Sequence, residues 1–386
     1  MKIYFIGQKG IPGIYGGVER HVEELATRLV REGNEVFVYC RNHYTPKTLQ
    51  EYKGVKLIHL PSIKTKHLDA ITHTFLASLD ILRRNVDIIH YQAIGPSSLL
   101  WIPKLLKRHA KVFSTFHCDD RQHQKWGFGA RKYLGLGAYV SAKWPDCTIG
   151  VSRSLCNIHG HEFKSELEYI PNGVPVSQKI AAKTITENWG LIGNDYILAV
   201  SRLVKHKGLH HLIEAYNALD NVNKKLVIVG DTSYTDGYFK YLKDLAGNNP
   251  NIIFTGNQTG QELAELYSNA YLFVQPSEAE GFSIALLEAM SYGKAVLCSD
   301  IAPNKEAVAN LGFTFKNTDT AGLSKGLAYL LARPEVVESA GQKLQNRVYT
   351  EYNWDHITKK TIELYQSVLG RAEAKELVKP INVESA

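Results

Sequence analysis

The sequence predicts an α/β protein of two Rossmann-like, doubly wound domains that face a central cleft. Three observations predict it. Short apolar runs alternate with helical periodicity through both halves, the signature of parallel strands covered on both faces by crossover helices. Turn-forming residues cluster at Pro171-Asn172-Gly173-Val174-Pro175, and the alternation then starts afresh at Tyr196. A length of 386 residues suits two or three domains at about 150 residues each.

The first unit opens with an apolar strand at 2–7 and a glycine-rich loop. Val18, Val22, Leu25, Ala26, Leu29 and Val30 then fall on one helical face until Gly33 ends the helix. Strands follow at 36–40, 55–60, 86–91, 112–116, 147–151 and 167–170, separated by helical stretches. The second half places strands at 196–201, 226–229, 252–254, 271–275 and 295–298. The boundaries read from this pattern are 1–175 and 176–356. A final helix, from about 357 to 386, packs back on the first domain and ends in a charged tail. In such folds the carboxyl ends of the strands open onto the crevice where ligands bind.

Composition narrows the function. Apolar residues at 44% and charged residues at 22% exclude a mostly disordered chain. Cys40, Cys118, Cys147, Cys156 and Cys298 stand singly, an odd number that suits reduced thiols and a cytoplasmic location. Met1-Lys2 leads directly into a strand too short for a signal sequence, and nowhere do 18 uncharged apolar residues run together. The charge is uneven: 24 basic against 15 acidic residues through position 176 give +9, whereas the remaining 21 against 23 give −2. A basic first half points to an anionic partner, with nucleic acid, an anionic membrane surface and a merely solvated basic face all open on composition alone. The stretch 99–108, Leu-Leu-Trp-Ile-Pro-Lys-Leu-Leu-Lys-Arg, joins apolar and basic residues on one expected helix and is either packed on the sheet or a membrane-surface element.

The strongest constellation is Pro276 to Met290. Ser283 can cap a helix running to about Tyr292, so the free amides near 282–285 form an anion site at its positive end, and Gly281, Phe282, Ser283 and Ile284 are the candidate nucleotide-binding residues there. Glu280 precedes that helix and Glu288 lies within it, so one carboxylate can address a bound sugar and the other a ribose. Arg202 and Lys207 follow a strand end, where each charge-assisted bond to a nucleotide diphosphate is worth about 1.5 to 3 kcal/mol. As ordinary surface pairs they would contribute about 0 to 1 kcal/mol. The first loop, Gly7 to Gly17, spaces its glycines as G-x-x-G-x-x-G, and the next strand ends at Cys40-Arg41 without an acidic ribose partner, so dinucleotide binding is not expected. Gly16 and Gly17 instead permit close approach of a ligand at a helix start. His117-Cys118-Asp119-Asp120-Arg121-Gln122-His123 follows a strand, but its irregular spacing argues against a metal, and no metal is expected.

Together these residues resemble the retaining GT-B glycosyltransferases of family 4 over nearly the whole chain. Glu280 and Glu288 stand at the family's E-x7-E spacing. Arg202 and Lys207 match its diphosphate-binding pair, Asn172-Gly173-Val174 its domain linker, and Gly256-Asn257 its base-contacting turn. Tyr15-Gly16-Gly17-Val18-Glu19 is similar to the rhamnosyltransferase-like subgroup. Glu280-Gly281-Phe282-Ser283 departs from that subgroup's Gly-Gly-Thr-Asn-Pro loop, which counts against a rhamnose donor. The resemblance implies that His117 contacts the donor sugar and that Asp120 orients or deprotonates the acceptor. It implies a second domain that binds a nucleoside diphosphate sugar, UDP favoured over GDP or dTDP, with no cofactor. The first domain would bind a glycan or lipid-linked acceptor at an anionic inner membrane face, with no nucleic acid partner. The expected activity is retaining, metal-independent hexosyl transfer in cell-surface polysaccharide or glycolipid synthesis. The rivals are a sugar-nucleotide epimerase and a non-catalytic binder of anionic surfaces.

Overall fold

The computed structural model describes residues 1–377 apart from 15, 66–67, 120, 122–127, 221 and 233–234. It contains two sheets. The first has eight strands, β1 (Lys2–Ile6), β2 (Glu35–Arg41), β3 (Glu51–Tyr52), β4 (Val55–Leu60), β5 (Ile88–Gln92), β6 (Lys111–Phe116), β7 (Cys147–Gly150) and β8 (Glu168–Tyr169). Their order is β3-β4-β2-β1-β5-β6-β7-β8, parallel except between β3 and β4. The second has six, β9 (Tyr196–Val200), β10 (Lys225–Val229), β11 (Ile252–Gly256), β12 (Leu272–Gln275), β13 (Ala295–Ser299) and β14 (Phe313–Phe315), in the order β11-β10-β9-β12-β13-β14.

Both central strands are apolar without interruption because helices cover both of their faces. Ile3 lies between Val36 and Ile88, and Leu198 between Val227 and Phe273, and all six side chains are buried. Strand order reverses at β1 and at β9, so a crevice opens beside the carboxyl end of each. β3 and β14 have no counterpart in the sequence reading. At two and three residues they are too short to carry a periodicity, and β14 is an edge strand secured by the Asp300 amide donating to the Phe315 carbonyl (2.8 Å).

The chain crosses to the second domain after Asn172 and returns at Trp354, and the two crossings are joined. The Val174 amide donates to Tyr352 O (2.8 Å), and the Trp354 amide donates to Val174 O (3.4 Å). The last helix, Trp354–Leu377, lies on the first sheet, where Trp354, Ile357, Tyr365 and Val368 share one core with Ile3, Phe5 and Phe113. Arg28 of the helix Gly17–Arg31 pairs with Asp355 at 3.2 Å. Within this core His90 has both ring nitrogens engaged, Nδ1 by the Tyr365 hydroxyl and Nε2 by Thr115 Oγ1, each at 2.6 Å. Burial lowers its pKa to about 3, so the ring is neutral.

Candidate active site

Four loops meet at the carboxyl edge of the second sheet. The loop after β9 makes a tight turn, Lys205–Lys207, before the helix Leu209–Asn217. Gly208 lies between them at φ +66°, and a Cβ there would come 2.0 Å from the Pro276 carbonyl oxygen, so both its conformation and its space require glycine. This contact presses the β9 loop against the loop that follows β12. The Glu278 amide donates to His206 O (2.8 Å), and Lys207 Nζ pairs with Glu280 Oε1 at 2.5 Å. Both charged groups are largely shielded, with side chains 15% and 9% exposed. Arg202 is exposed, and its side chain has no hydrogen bond or ion pair among the described residues. Its guanidinium is available to an incoming anion.

Beneath the Glu280 loop a buried polar network fixes the backbone. Ser299 Oγ donates to Ser277 O (2.5 Å), Gln275 Nε2 donates to Asn304 Oδ1 (2.8 Å), and Asn317 Nδ2 donates to Glu278 O (3.1 Å). Ser283 caps the helix Ile284–Ser291: its Oγ accepts from the Leu286 amide (3.3 Å) and donates to Gln275 Oε1 (2.6 Å). The amides of Ser283, Ile284 and Ala285 have no partner among the described residues, leaving three donors at a positive helix end. Gly256, at φ +73°, ends β11 at the same edge, and Asn257 beside it is exposed.

Glu288 lies inside that helix and keeps partial access to solvent. Tyr267 donates its hydroxyl to Glu288 Oε2 (3.1 Å). Burial raises the Glu288 pKa, an effect partly offset by the cation of Arg20 and by the Tyr267 bond. Arg20 belongs to the first domain, where its guanidinium pairs with Glu23 (3.8 Å) and Glu24 (3.2 Å), and its charge reaches Glu288 electrostatically across the cleft. Sequence reasoning missed Arg20 and Tyr267. Arg20 stands three and four residues before Glu23 and Glu24, which reads as a solvated helix face, and Tyr267 reads as core.

Across the cleft, Gly16 and Gly17 open the helix Gly17–Arg31. A Cβ on Gly17 would lie 3.7 Å from Ile284 Cδ1, so the two helix N-termini approach each other. The glycine loop is braced by that helix's own carboxylates: Lys9 N donates to Glu19 (3.1 Å) and Gly13 N to Glu23 (2.8 Å). His117 follows β6. A Cβ on Gly281 would fall 1.6 Å from the His117 carbonyl oxygen, so the two domains can meet at this point only through a glycine. The His117 ring is buried, donates to Gln92 Oε1 (2.7 Å) and packs edge-on against His21 at 4.8 Å. His21 in turn donates from Nδ1 to Asn172 Oδ1 (2.9 Å), and Asn172 Nδ2 donates to Phe282 O (2.7 Å). Asn172 thus ties the linker to both domains. Burial holds His21 at about 4 and His117 well below the ordinary value.

Asp120 lies outside the described residues. Asp119 is clamped by Arg121, whose Nε and NH2 reach its two oxygens at 2.8 and 2.9 Å, and Arg121 also holds Glu162. In the 99–108 stretch the helix is confined to Trp101–Leu106. Lys104 pairs with Asp146 (2.7 Å), while Lys107 is buried and donates to Leu82 O (2.9 Å). These two lysines anchor the helix, and the outward-facing groups are Trp101, Leu105, Leu106 and Arg108. A second exposed apolar stripe, Leu68, Phe75, Leu76 and Leu79, lies on the helix Leu68–Asp80. No helix among the described residues is long and apolar enough to cross a membrane.

Residues 15–178 match the family described as Glycosyltransferase Family 4, and residues 184–347 match the family described as Glycosyl transferases group 1. An alpha-maltose-1-phosphate synthase of Mycobacterium tuberculosis is 29% identical over 95% of this chain and 100% of its own length. Among solved structures, a sucrose-phosphate synthase from Thermosynechococcus elongatus superposes with a TM-score of 0.82 at 19% identity, covering 96% of this chain and 99% of the other. The Anabaena protein HepE, in complex with UDP-glucose, gives 0.79 at 18% identity over 95% and 100%. The two-sheet architecture, the two family matches that tile most of the sequence and the full-length relatives place the chain among the GT-B glycosyltransferases.

Proposed function

We propose that the protein is a retaining, metal-independent hexosyltransferase that moves a sugar from a UDP-sugar to a glycan or lipid-linked acceptor in cell-surface polysaccharide or glycolipid synthesis. One observation carries the reading: Arg202, the Lys207–Glu280 pair and three free amides at residues 283–285 converge on one strand edge. A departing nucleoside diphosphate develops negative charge that these donors match, the role a divalent cation fills in other transferases. In the proposed step the bond from the sugar anomeric carbon to the diphosphate oxygen breaks, and the acceptor oxygen bonds to the same face. The acceptor proton passes to the departing phosphate. Glu280, held by Lys207, is placed to accept from sugar hydroxyls, Glu288 from the ribose, and Gly256-Asn257 would flank the base. The UDP-glucose complex of the Anabaena neighbour supports a uridine donor over GDP or dTDP.

Location at the cytoplasmic face of a membrane is supported by the +9 first half and the exposed stripe Phe75, Leu76 and Leu79. The two features together suit an anionic lipid surface.

A panel of UDP-, GDP- and dTDP-sugars tests the proposal by thermal shift, followed by proton NMR of the product anomer. A true donor at 100 times its dissociation constant adds about 2.7 kcal/mol of stability, and the product should keep the donor's anomeric configuration. Anionic vesicles should co-sediment with the wild type and less with Phe75→Asp. Absence of any nucleotide-sugar shift overturns the enzymatic reading, and an inverted product overturns retention. Conversion of donor without acceptor would favour an epimerase.

A further inference from the structure

His210 and His211 begin the helix Leu209–Asn217, and Glu278 lies in the loop after β12, two residues before Glu280. The Nε2 atoms of the two histidines lie 3.8 and 3.7 Å from the same oxygen, Glu278 Oε1, and the three atoms all fall within 4.8 Å of one another. These separations are too long for hydrogen bonds, so two imidazole nitrogens and a carboxylate oxygen converge on a common point without bonding each other.

The opposite ring nitrogens are held by other groups. His210 Nδ1 is 2.9 Å from the Tyr238 hydroxyl, and His211 Nδ1 is 3.1 Å from Thr320 Oγ1. The Thr320 hydroxyl donates onward to Glu214 Oε2 (3.4 Å), so its oxygen accepts from His211 Nδ1–H, and this tautomer, assigned from the network, leaves the Nε2 lone pair facing Glu278. Metal-bound histidines are oriented in the same way, by a partner on the other nitrogen. Tetrahedral zinc at about 2.0 to 2.1 Å from each ligand atom needs separations of about 3.3 Å. The two nitrogen–oxygen separations of 3.8 and 3.7 Å reach that with a contraction of about half an ångström each, and the two nitrogens, within 4.8 Å of each other, close by rotation of the imidazole rings.

We propose that His210, His211 and Glu278 bind a divalent transition-metal ion of the zinc class, with its fourth position open. None of the three residues belongs to the 117–123 motif, and the site does not depend on glycosyl transfer. It joins the loop of Glu280 to the helix that follows Lys207, so an ion there fixes the spacing of the Lys207–Glu280 pair rather than taking part in bond breaking.

The test uses the tag-free full chain, stripped with a chelator and then dialysed against zinc or cobalt(II). Wild type should take up one equivalent, and the cobalt form should show the visible bands of a four-coordinate site. His211→Ala and Glu278→Ala should lose both while melting like the metal-free wild type. Tyr238→Phe should keep the site but bind about 10-fold more weakly, as for loss of a partner on the far nitrogen. Wild type that takes up no metal, or uptake unchanged in both ligand variants, overturns the proposal. If either ligand variant fails to fold, the wild-type stoichiometry and the Tyr238→Phe affinity decide it.

Discussion

Lys207→Ala and Arg202→Ala are each expected to fold and to lose about 10² to 10³ in turnover at saturating donor, about 2.7 to 4 kcal/mol, the size of removing one transition-state donor. The structure separates the two cases. The Arg202 side chain is exposed with no partner among the described residues, so its removal should leave the melting temperature unchanged. Lys207 is paired with Glu280 at 2.5 Å in a shielded place, so its removal also leaves a carboxylate unpaired and should lower stability slightly. Turnover and thermal melts on both variants check this, and near-wild-type turnover in both would remove the diphosphate assignment.

Stability should fall steeply as pH drops from 6.5 toward 4. His21 and His90 are buried with pKa values lowered to about 4 and about 3, and His117 is lowered well below its ordinary value by burial and by those two rings. Each ring is neutral when folded and titrates near 6.5 when unfolded, so the unfolded chain binds more protons throughout that window and acid favours it. Each ring contributes a slope of up to about 1.4 kcal/mol per pH unit, and the three together about 4. That rate exhausts an ordinary stability of about 5 to 15 kcal/mol within a few units. His73 and His210, both lowered to about 4, act in the same direction. Glu288, raised by burial, acts in the opposite sense but is a single group, and the lowered carboxylates Asp69 and Asp80 add their loss only below about pH 4. Denaturant titrations from pH 8 to 4.5 measure the slope. A profile flat to pH 5 would contradict the neutral, buried assignment, and His90→Phe should make the slope shallower by one ring's share.

Much of the fold was legible because buried parallel strands are apolar throughout. Residues 196–200 and 272–275 need only their side-chain type to be recognised, and the turn cluster at 171–175 marks the crossing. β3 and β14 were not legible, being shorter than any period. The site was legible where its chemistry is concentrated along the chain, as at 202–207 and 276–288. It was hidden where partners come from distant segments: the Arg20 charge felt by Glu288, the Tyr267 hydroxyl bonded to it, and the Asn172–His21 link are brought together only by folding. The same holds for residues 99–108, where an apolar-basic alternation gives no sign that Asp146 and the Leu82 carbonyl claim the lysines.

Calorimetric titration of UDP into wild type and Glu288→Gln tests most directly whether the second sheet's carboxyl edge holds a nucleoside diphosphate. The assignment of Glu288 to the ribose predicts that wild type binds UDP and that the variant, which keeps its shape but loses the charge, binds at least about 10-fold more weakly, about 1.4 kcal/mol. Undiminished UDP affinity in Glu288→Gln would contradict the ribose role, and no heat of binding for UDP, GDP or dTDP in wild type would contradict the nucleotide site itself.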